Sequence, residues 1–450
     1  MFTSINPYNQ KEVHSFEHHT PEEVEEVITG AAKVFKDWKN ISFTERAAVI
    51  DTIAALLLQN KKVYATMITQ EMGKPINESI AEIEKCAWLC NFYAEHAADF
   101  LNEEFIDTDA SKSSVQFQPL GVIFGVMPWN FPFWQVFRFA IPALMAGNTV
   151  VIKHAPNVMG CAKLIQKIIT ASTSYKAIFQ LLMINVDRIE EIIKDERIKA
   201  VTFTGSEYAG KNIALLSAKY LKKVVLELGG SNAFIVLDDA NLELASGIAV
   251  TARLQNTGQS CIAAKRFILH EKIADEFIAK LKIAFDQVVA GNPIEETTQI
   301  GVIAREDLLY NLKNQVQDAI DKGATLITGG NAKDNYYTPT ILTNITSDMM
   351  VYHQEVFGPV AVVFVVQNDG EAIQLANDTS FGLGASVFTK NVLRANSFIE
   401  QIEDGAVFIN SMIKSDPRLP FGGTKNSGIG RELGAYGIKE FVNIKTVYWK

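Results

Sequence analysis

The sequence predicts an α/β fold built on mainly parallel sheets, and three observations carry that reading. From residue 120 onward, short β-rich runs (GVIFGVM, NTVVIK, KAVTFTG, SNAFIVL) are mostly separated by helical stretches, the pattern of strands joined by crossover helices. After Cys261 a second series follows: KRFILHEK, a helix to about Val289, then ATLITGG, AVVFVVQ, SVFTK and AVFINS. No internal repeat and no low-complexity linker separates the two series, so they are expected to pack closely with a cleft between them.

Taken in order, residues 21–100 read as helical. Thr20 is the expected N-cap of PEEVEEVITGAAKVFKDWKN, with acidic residues in the first turn and Val24, Val27, Ile28, Ala31 and Val34 at helical spacing. Cys86 and Cys90 lie four apart and share a helix face, where they read as core thiols. SSVQFQP (113–119) alternates like a half-exposed strand, and FVNIKTVYWK at the end alternates again. Leu120–Gly147 is long enough to span a bilayer. Pro128, Pro132, Pro142, Asn130 and Arg138 argue instead for a buried strand, a turn and a buried helix.

The 42 basic and 51 acidic residues give a net charge of −9, which disfavours nucleic acid as a partner. Apolar side chains are ample for a core, so disorder is excluded as the main state. Four cysteines are too few for a disulfide framework, and no zinc ligand set is visible. MFTSINPYNQ has neither the basic start nor the apolar core of a signal peptide. A reducing, cytoplasmic compartment is the expectation, with no membrane partner.

Several residues could carry chemistry. Cys261 in NTGQSC reads either as a packed core residue or as a nucleophile exposed to a cleft, since Gly258, Gln259 and Ser260 around it are small or polar. Glu227 in VLELGGSN ends an apolar strand, where α/β sheets face their ligand crevice; it is either a base with a raised pKa or a salt-bridged carboxylate beside a turn. Asn130 lies between two prolines in VMPWNFP, a stiff turn that either holds an oxyanion donor or is only a turn. In FTGSEYAG, Gly205 and Gly210 flank a turn feeding a helix, a phosphate-site pattern with Ser206 as cap. Lys153 ends the strand VVIK. EVFGP holds Glu355 and Phe357, GAVFIN holds Asn410, and LPFGG runs Pro420–Gly423.

A thiol, a carboxylate, an amide donor, a strand-end lysine and a phosphate turn are the parts for oxidising an aldehyde through a thioester. In order and spacing, PWNFP, FTGS, ELGG, N-x-G-Q-x-C, EVFGP and PFGG resemble the NAD(P)-dependent aldehyde dehydrogenase superfamily over nearly the whole chain. EMGKPINES, KHAPNVMGCA, QNTGQSCIAAKRF and SDPRLPFGG are most similar to the shorter bacterial succinate-semialdehyde dehydrogenases. The resemblance implies an aldehyde dehydrogenase-like fold. It would have a Rossmann-type cofactor domain (1–100 and 120–229), an α/β catalytic domain (230–428) and a small β oligomerisation element (101–119 and 429–450), assembled as a homodimer or homotetramer.

The resemblance also implies roles. Cys261 would attack the aldehyde, Asn130 and the Cys261 amide would hold the oxyanion, and Glu227 would activate water. Lys153 would bond the adenosine ribose, Ser206 and the turn after Gly205 would receive the pyrophosphate, and Glu355 would hold the second ribose beside Phe357. Trp129 would line the cofactor path, with His154, Pro156 and Gly210 completing the cofactor set and no metal involved. Relatives specific for NAD often carry K-x-x-E; here Lys153, His154, Ala155 and Pro156 supply no carboxylate, so use of NADP or NAD is expected, with NADP slightly favoured. STSYKAIFQLLMI (172–184) lacks the usual Gly-Pro loop on the adenine side.

Arg138 lies eight residues after Asn130, on the same face of the following helix. A cation in this apolar stretch needs either a substrate carboxylate or an internal Asp or Glu. The resemblance assigns it, with Ser415, to the distal carboxylate of succinate semialdehyde; Arg418 is a further candidate beside a structural reading. The alternatives are glutarate semialdehyde or a neutral aliphatic aldehyde as substrate, a CoA-acylating enzyme (against which Glu227 counts), and a binding protein with a retired site. A cysteine hydrolase lacks a histidine in a convincing motif.

Overall fold

The computed structural model describes residues 1–450. Local signals start its helices. Thr20 closes a capping box over Pro21–Trp38: its hydroxyl accepts the Glu23 amide and the Glu23 carboxylate accepts its own amide. Ser42 and Glu45 do the same for Phe43–Gln59. Lys61–Met72 and Ile76–Phe100 follow. Cys86 and Cys90 sit on the inner face of the last helix, fully buried, and burial raises both thiols well above their ordinary range.

The apolar stretch after residue 120 folds as strand Val122–Val126, a turn and helix Trp134–Met145. Every residue of that helix is buried, which explains its membrane-like hydropathy. No helix of the chain is long and apolar enough to cross a membrane.

A six-stranded sheet runs in the order 428–429, 223–227, 198–204, 122–126, 149–153, 179–181. All neighbours are parallel except the short strand Gly428–Ile429, which is antiparallel to Lys223–Glu227. The chain starts in the middle, at Val122–Val126, winds outward one way and then the other. This is the doubly wound Rossmann arrangement, with its ligand crevice at the carboxyl ends on either side of the switch point. Residues 172–184, without their Gly-Pro loop, still deliver the edge strand Phe179–Leu181.

A seven-stranded sheet runs 325–328, 340–343, 360–366, 264–270, 232–236, 385–388, 407–409, parallel except for its first pair. Its amino ends at Asn232, Ala264 and Val360 turn toward the carboxyl ends of the first sheet, as the cross-sheet contacts below show. A third, antiparallel sheet pairs Val442–Trp449 with Lys112–Pro119 in unbroken register, and Glu104–Phe105 on the far side. The strand Gly428–Ile429 belongs to the first sheet, so the expected edge between residues 428 and 429 runs through it. An N-terminal hairpin, Phe2–Ile5 with Glu12–Phe16, completes the fold.

Candidate active site

The site is assembled from strand ends. Met127–Asn130 leave Val122–Val126, Lys153 ends Thr149–Lys153, Gly205 and Ser206 leave Ile198–Thr204, and Glu227 ends Lys223–Glu227. From the other sheet, Cys261 precedes Ala264–His270, and Glu355 and Phe357 precede Val360–Val366.

The loop before Cys261 is strained. Asn256 and Thr257 both hold left-handed backbones, at φ 57° and 55°, and Gly258 follows at φ 72°. A β-branched residue in this region is a genuine outlier. Gly258 is obligatory for a second reason: a Cβ there would lie 2.4 Å from the Gly358 carbonyl oxygen. Polar partners hold the strain in place. The Glu78 carboxylate accepts the Asn256 amide at 2.8 Å, and Asn256 Nδ2 donates to the carbonyls of Asn130 (2.8 Å) and Gln259 (3.0 Å). Asn130 Nδ2 donates one hydrogen to the Gln259 carbonyl at 3.1 Å, which leaves the other free.

Cys261 is half-buried, and burial pushes its thiol up to about 11, eased by the charges of Arg138 and Lys265. Lys265 is itself fully buried; it donates to the carbonyls of Ser260 and Cys261 (both 2.9 Å) and to Glu355 Oε1 (2.8 Å). Gly230 N–H adds a second hydrogen bond to Glu355 Oε1. Glu227 is buried, and burial raises its carboxyl well above the usual range, with Arg138 opposing. Its Oε1 has no hydrogen-bond partner. The backbone of Gly422, from PFGG, approaches so closely that a Cβ would lie 2.8 Å from that oxygen.

A cleft opens on Cys261, lined among others by Lys85, Gln135, Arg138, Ser415 and Phe421. Arg138 Nε forms a buried ion pair with Glu432, its Nη2 reaches Thr204 Oγ1 at 3.4 Å, and its guanidinium lies 4.7 Å from the Phe421 ring centroid. On the nucleotide side, Trp129 meets Phe357 edge-on at 5.9 Å. Burial lowers Lys153 to about 8; its ammonium donates only to the His154 carbonyl, at 3.2 Å. Ser206 caps helix Glu207–Lys219, whose first-turn amides at Glu207 and Tyr208 have no partner within the helix.

The chain matches the model of the aldehyde dehydrogenase family over residues 1–447. The chain belongs to that family. Among its relatives, a protein of Synechocystis sp. named "Probable succinate-semialdehyde dehydrogenase (NADP+)" is 50% identical over 448 residues, 99% of each chain. "Succinate semialdehyde dehydrogenase (NAD(P)+) Sad" of Escherichia coli is 43% identical over 450 residues, 99% of this chain and 97% of that one. The crystal structure of succinic semialdehyde dehydrogenase from Streptococcus pyogenes in complex with NADP+ superposes with a TM-score of 0.97 at 35% identity, covering 100% of this chain and 99% of that one. The fold is therefore the aldehyde dehydrogenase fold that the motifs implied.

Within this aldehyde dehydrogenase, two of the expected cofactor residues have their polar atoms engaged internally. His154 is fully buried, its Nε2 lies 2.9 Å from the Pro132 carbonyl and its Nδ1 accepts the Ala155 amide. Burial lowers it to about 4, so it is neutral, and its Nε2 braces the turn that carries Asn130. Gly210 is buried inside helix Glu207–Lys219, and its amide is spent on the Ser206 carbonyl at 2.9 Å. Gly205 shapes the turn, but its amide is spent on the Glu227 carbonyl. Of the two partners open to Arg138, the internal carboxylate is present, as Glu432. Arg418 is exposed and pairs with Asp416, the structural reading.

Three further charged residues of the cleft are not singled out by the sequence. Glu78, Glu82 and Lys85 lie at i, i+4 and i+7 on helix Ile76–Phe100, and all three line the Cys261 cleft. Burial raises Glu78 to about 7. Glu82 forms a buried ion pair with Lys74 and accepts the amides of Phe133 and Trp134 at 2.8 and 2.9 Å. Charged residues repeating on the face next to Cys86 were the available signal.

Proposed function

We propose that this aldehyde dehydrogenase oxidises succinate semialdehyde to succinate with NADP+ or NAD+, through a thiohemiacetal and a thioester on Cys261. The carrying observation is the cleft itself: one half-buried thiol shares it with cationic and hydroxyl side chains, Lys85, Arg138 and Ser415. The names of the full-length relatives support the same substrate and cofactors.

The nucleotide side fits such a cofactor. Lys153 has no carboxylate partner, the helix at Ser206 presents free amides, and both side-chain polar atoms of Asn157, next to Pro156, are buried without partners. Lys153 would hold the adenosine ribose, Ser206 and the turn after Gly205 the pyrophosphate, and Glu355 the second ribose beside Phe357, with Trp129 lining the cofactor path. NADP+ or NAD+ supplies the hydride acceptor.

The protein's own residues do the rest. Cys261 Sγ, its proton given up to bulk water, attacks the aldehyde carbon as a thiolate. The remaining Asn130 Nδ2 hydrogen and the Cys261 amide take up the oxyanion. After oxidation, Glu227 takes a proton from the water that attacks the thioester, and the Cys261 thiolate leaves with succinate released.

The long edge strand Val442–Trp449, with Ile444, Tyr448 and Trp449 exposed, supports assembly as a homodimer or homotetramer, since an open apolar edge is otherwise a liability. The free, buried thiols of Cys86, Cys90 and Cys161 support a reducing, cytoplasmic setting.

The test is kcat/KM for succinate semialdehyde against butanal at saturating NADP+. The two share a chain length and differ in the carboxylate. Charge-assisted bonds predict a preference of about tenfold or more for the semialdehyde; equal turnover would contradict the substrate assignment.

A further inference from the structure

Lys265 is a fully buried cation outside the steps assigned to Cys261, Glu227 and Asn130. It follows Cys261 at the start of strand Ala264–His270, and all three of its ammonium hydrogens are committed. Two go to the carbonyls of Ser260 and Cys261, both at 2.9 Å, and the third goes to Glu355 Oε1 at 2.8 Å. Asn232 Nδ2 gives the Cys261 carbonyl a second donor at 3.0 Å. Gly230 N–H ends on the same Glu355 oxygen at 3.2 Å, so the internal bonds of this carboxylate all fall on Oε1.

Burying an ammonium is costly, and an apolar side chain of similar volume would hold a loop at lower cost. The use of the charge follows from the peptide plane. The Ser260 carbonyl and the Cys261 amide belong to one planar trans unit, in which C=O and N–H point in opposite directions. An ammonium on the carbonyl oxygen therefore fixes the direction of the Cys261 N–H and polarises it into a stronger donor. That N–H has no acceptor within the protein. The same charge stands near the thiol and favours its ionised form.

We propose that Lys265 is a positioning residue that aims and polarises the Cys261 amide for the oxyanion and links it to Glu355, the carboxylate assigned to the cofactor ribose. The proposal rests on the reading of Cys261 as the nucleophile. One buried ammonium then sets the nucleophile loop and the cofactor carboxylate together.

The charged groups around the thiol give the proposal a sign. Arg138 and Lys265 favour the thiolate, and Glu355 and Glu227 oppose it. Around Lys265 the charged groups are Glu355, Arg253 and Cys261 itself. Arg253 is spent on the carbonyls of Ala264 and Gly258, at 2.8 and 2.7 Å. Removing the Lys265 charge and removing the Glu355 charge must therefore move the thiol in opposite directions, which a loss of packing does not do.

The experiment measures iodoacetamide alkylation of the cofactor-free enzyme at alkaline pH, mapped to the peptide containing Cys261; the other three cysteines are buried. In Lys265→Met the rate is expected to fall by about three- to tenfold, since the smaller thiolate fraction outweighs the higher nucleophilicity of a more basic thiolate. In Glu355→Gln it is expected to rise by about twofold or more. Turnover of Lys265→Met should show kcat lowered about 10- to 100-fold by the same factor for succinate semialdehyde and butanal, with KM for each aldehyde little changed. Alkylation unchanged in both variants, or moved the same way in both, overturns the proposal, as does a kcat in Lys265→Met within about twofold of the starting enzyme. A melting curve establishes that each variant is folded. If Lys265→Met does not fold, Glu355→Gln decides alone: faster alkylation supports the proposal, and an unchanged or slower rate overturns it. Full turnover after complete alkylation of Cys261 would remove the nucleophile and Lys265 with it. Equal use of both aldehydes by the starting enzyme would remove the substrate reading and leave Lys265 in place.

Discussion

Asn256 Nδ2 donates to the Asn130 carbonyl at 2.8 Å, tying the loop that carries the proposed nucleophile to the turn that carries the proposed oxyanion donor. The two loops come from different sheets, and this bond fixes their separation. Asn256→Ala is expected to lower kcat by about 10- to 100-fold with a smaller change in KM, since a misplaced donor costs transition-state binding. It should also cost about 1–3 kcal/mol of stability by leaving buried carbonyls unpaired. Steady-state kinetics and denaturant titration check both parts.

Asn130→Ala removes the proposed oxyanion donor itself. The expected loss is about 10²–10³ in kcat. A loss confined to KM would place Asn130 in binding alone.

The pH dependence follows from the active protonation states. Cys261 acts as a thiolate and Glu227 as a carboxylate, and burial raises both, Cys261 to about 11. Activity should therefore rise with pH from neutral into the alkaline range. In Arg138→Met the cation that favours both charged forms is gone, so the rise moves up by about one unit or more. Lys153 runs the opposite way: lowered by burial to about 8, it loses its charge above that pH, and KM for NADP+ should climb there.

The sequence around Cys261, Glu227 and Asn130 was readable because each lies in a short segment whose glycines or prolines fix the backbone locally. What could not be read was which polar atoms remain free. Whether the Gly210 amide or the His154 ring is available depends on the Ser206 carbonyl in the helix turn and on Pro132 in a distant turn. In the sequence Arg138 needs an anion, but Glu432 reaches it only through the fold. Lys85 was masked by its neighbours: KCAWLC reads as a core face, and the helix does bury Cys86 and Cys90. The N-terminal hairpin has too little alternation to stand out.

Pro156→Glu supplies the carboxylate that NAD-specific relatives carry in K-x-x-E. Pro156 is exposed at the start of the short 3₁₀ turn Pro156–Val158, where glutamate is sterically tolerable. Like-charge repulsion should lower kcat/KM for NADP+ by about tenfold or more relative to NAD+. An unchanged ratio would remove this segment from cofactor discrimination.

Glu82 holds the buried ammonium of Lys74 and two amides at the start of the helix that carries Arg138. Glu82→Ala strands all of them, and the expected cost is about 3–5 kcal/mol of unfolding free energy. Thermal or denaturant unfolding measures it. A cost under about 1 kcal/mol would mean that water replaces the carboxylate freely.

The most direct measurement is the intact and peptide mass of the Glu227→Gln enzyme, quenched after mixing with succinate semialdehyde and NADP+. With the water-activating carboxylate gone, deacylation slows, and a single succinyl group should accumulate on the peptide containing Cys261, in step with a burst of one NADPH per site. Undiminished turnover with no adduct on Cys261 would contradict the acyl-enzyme account.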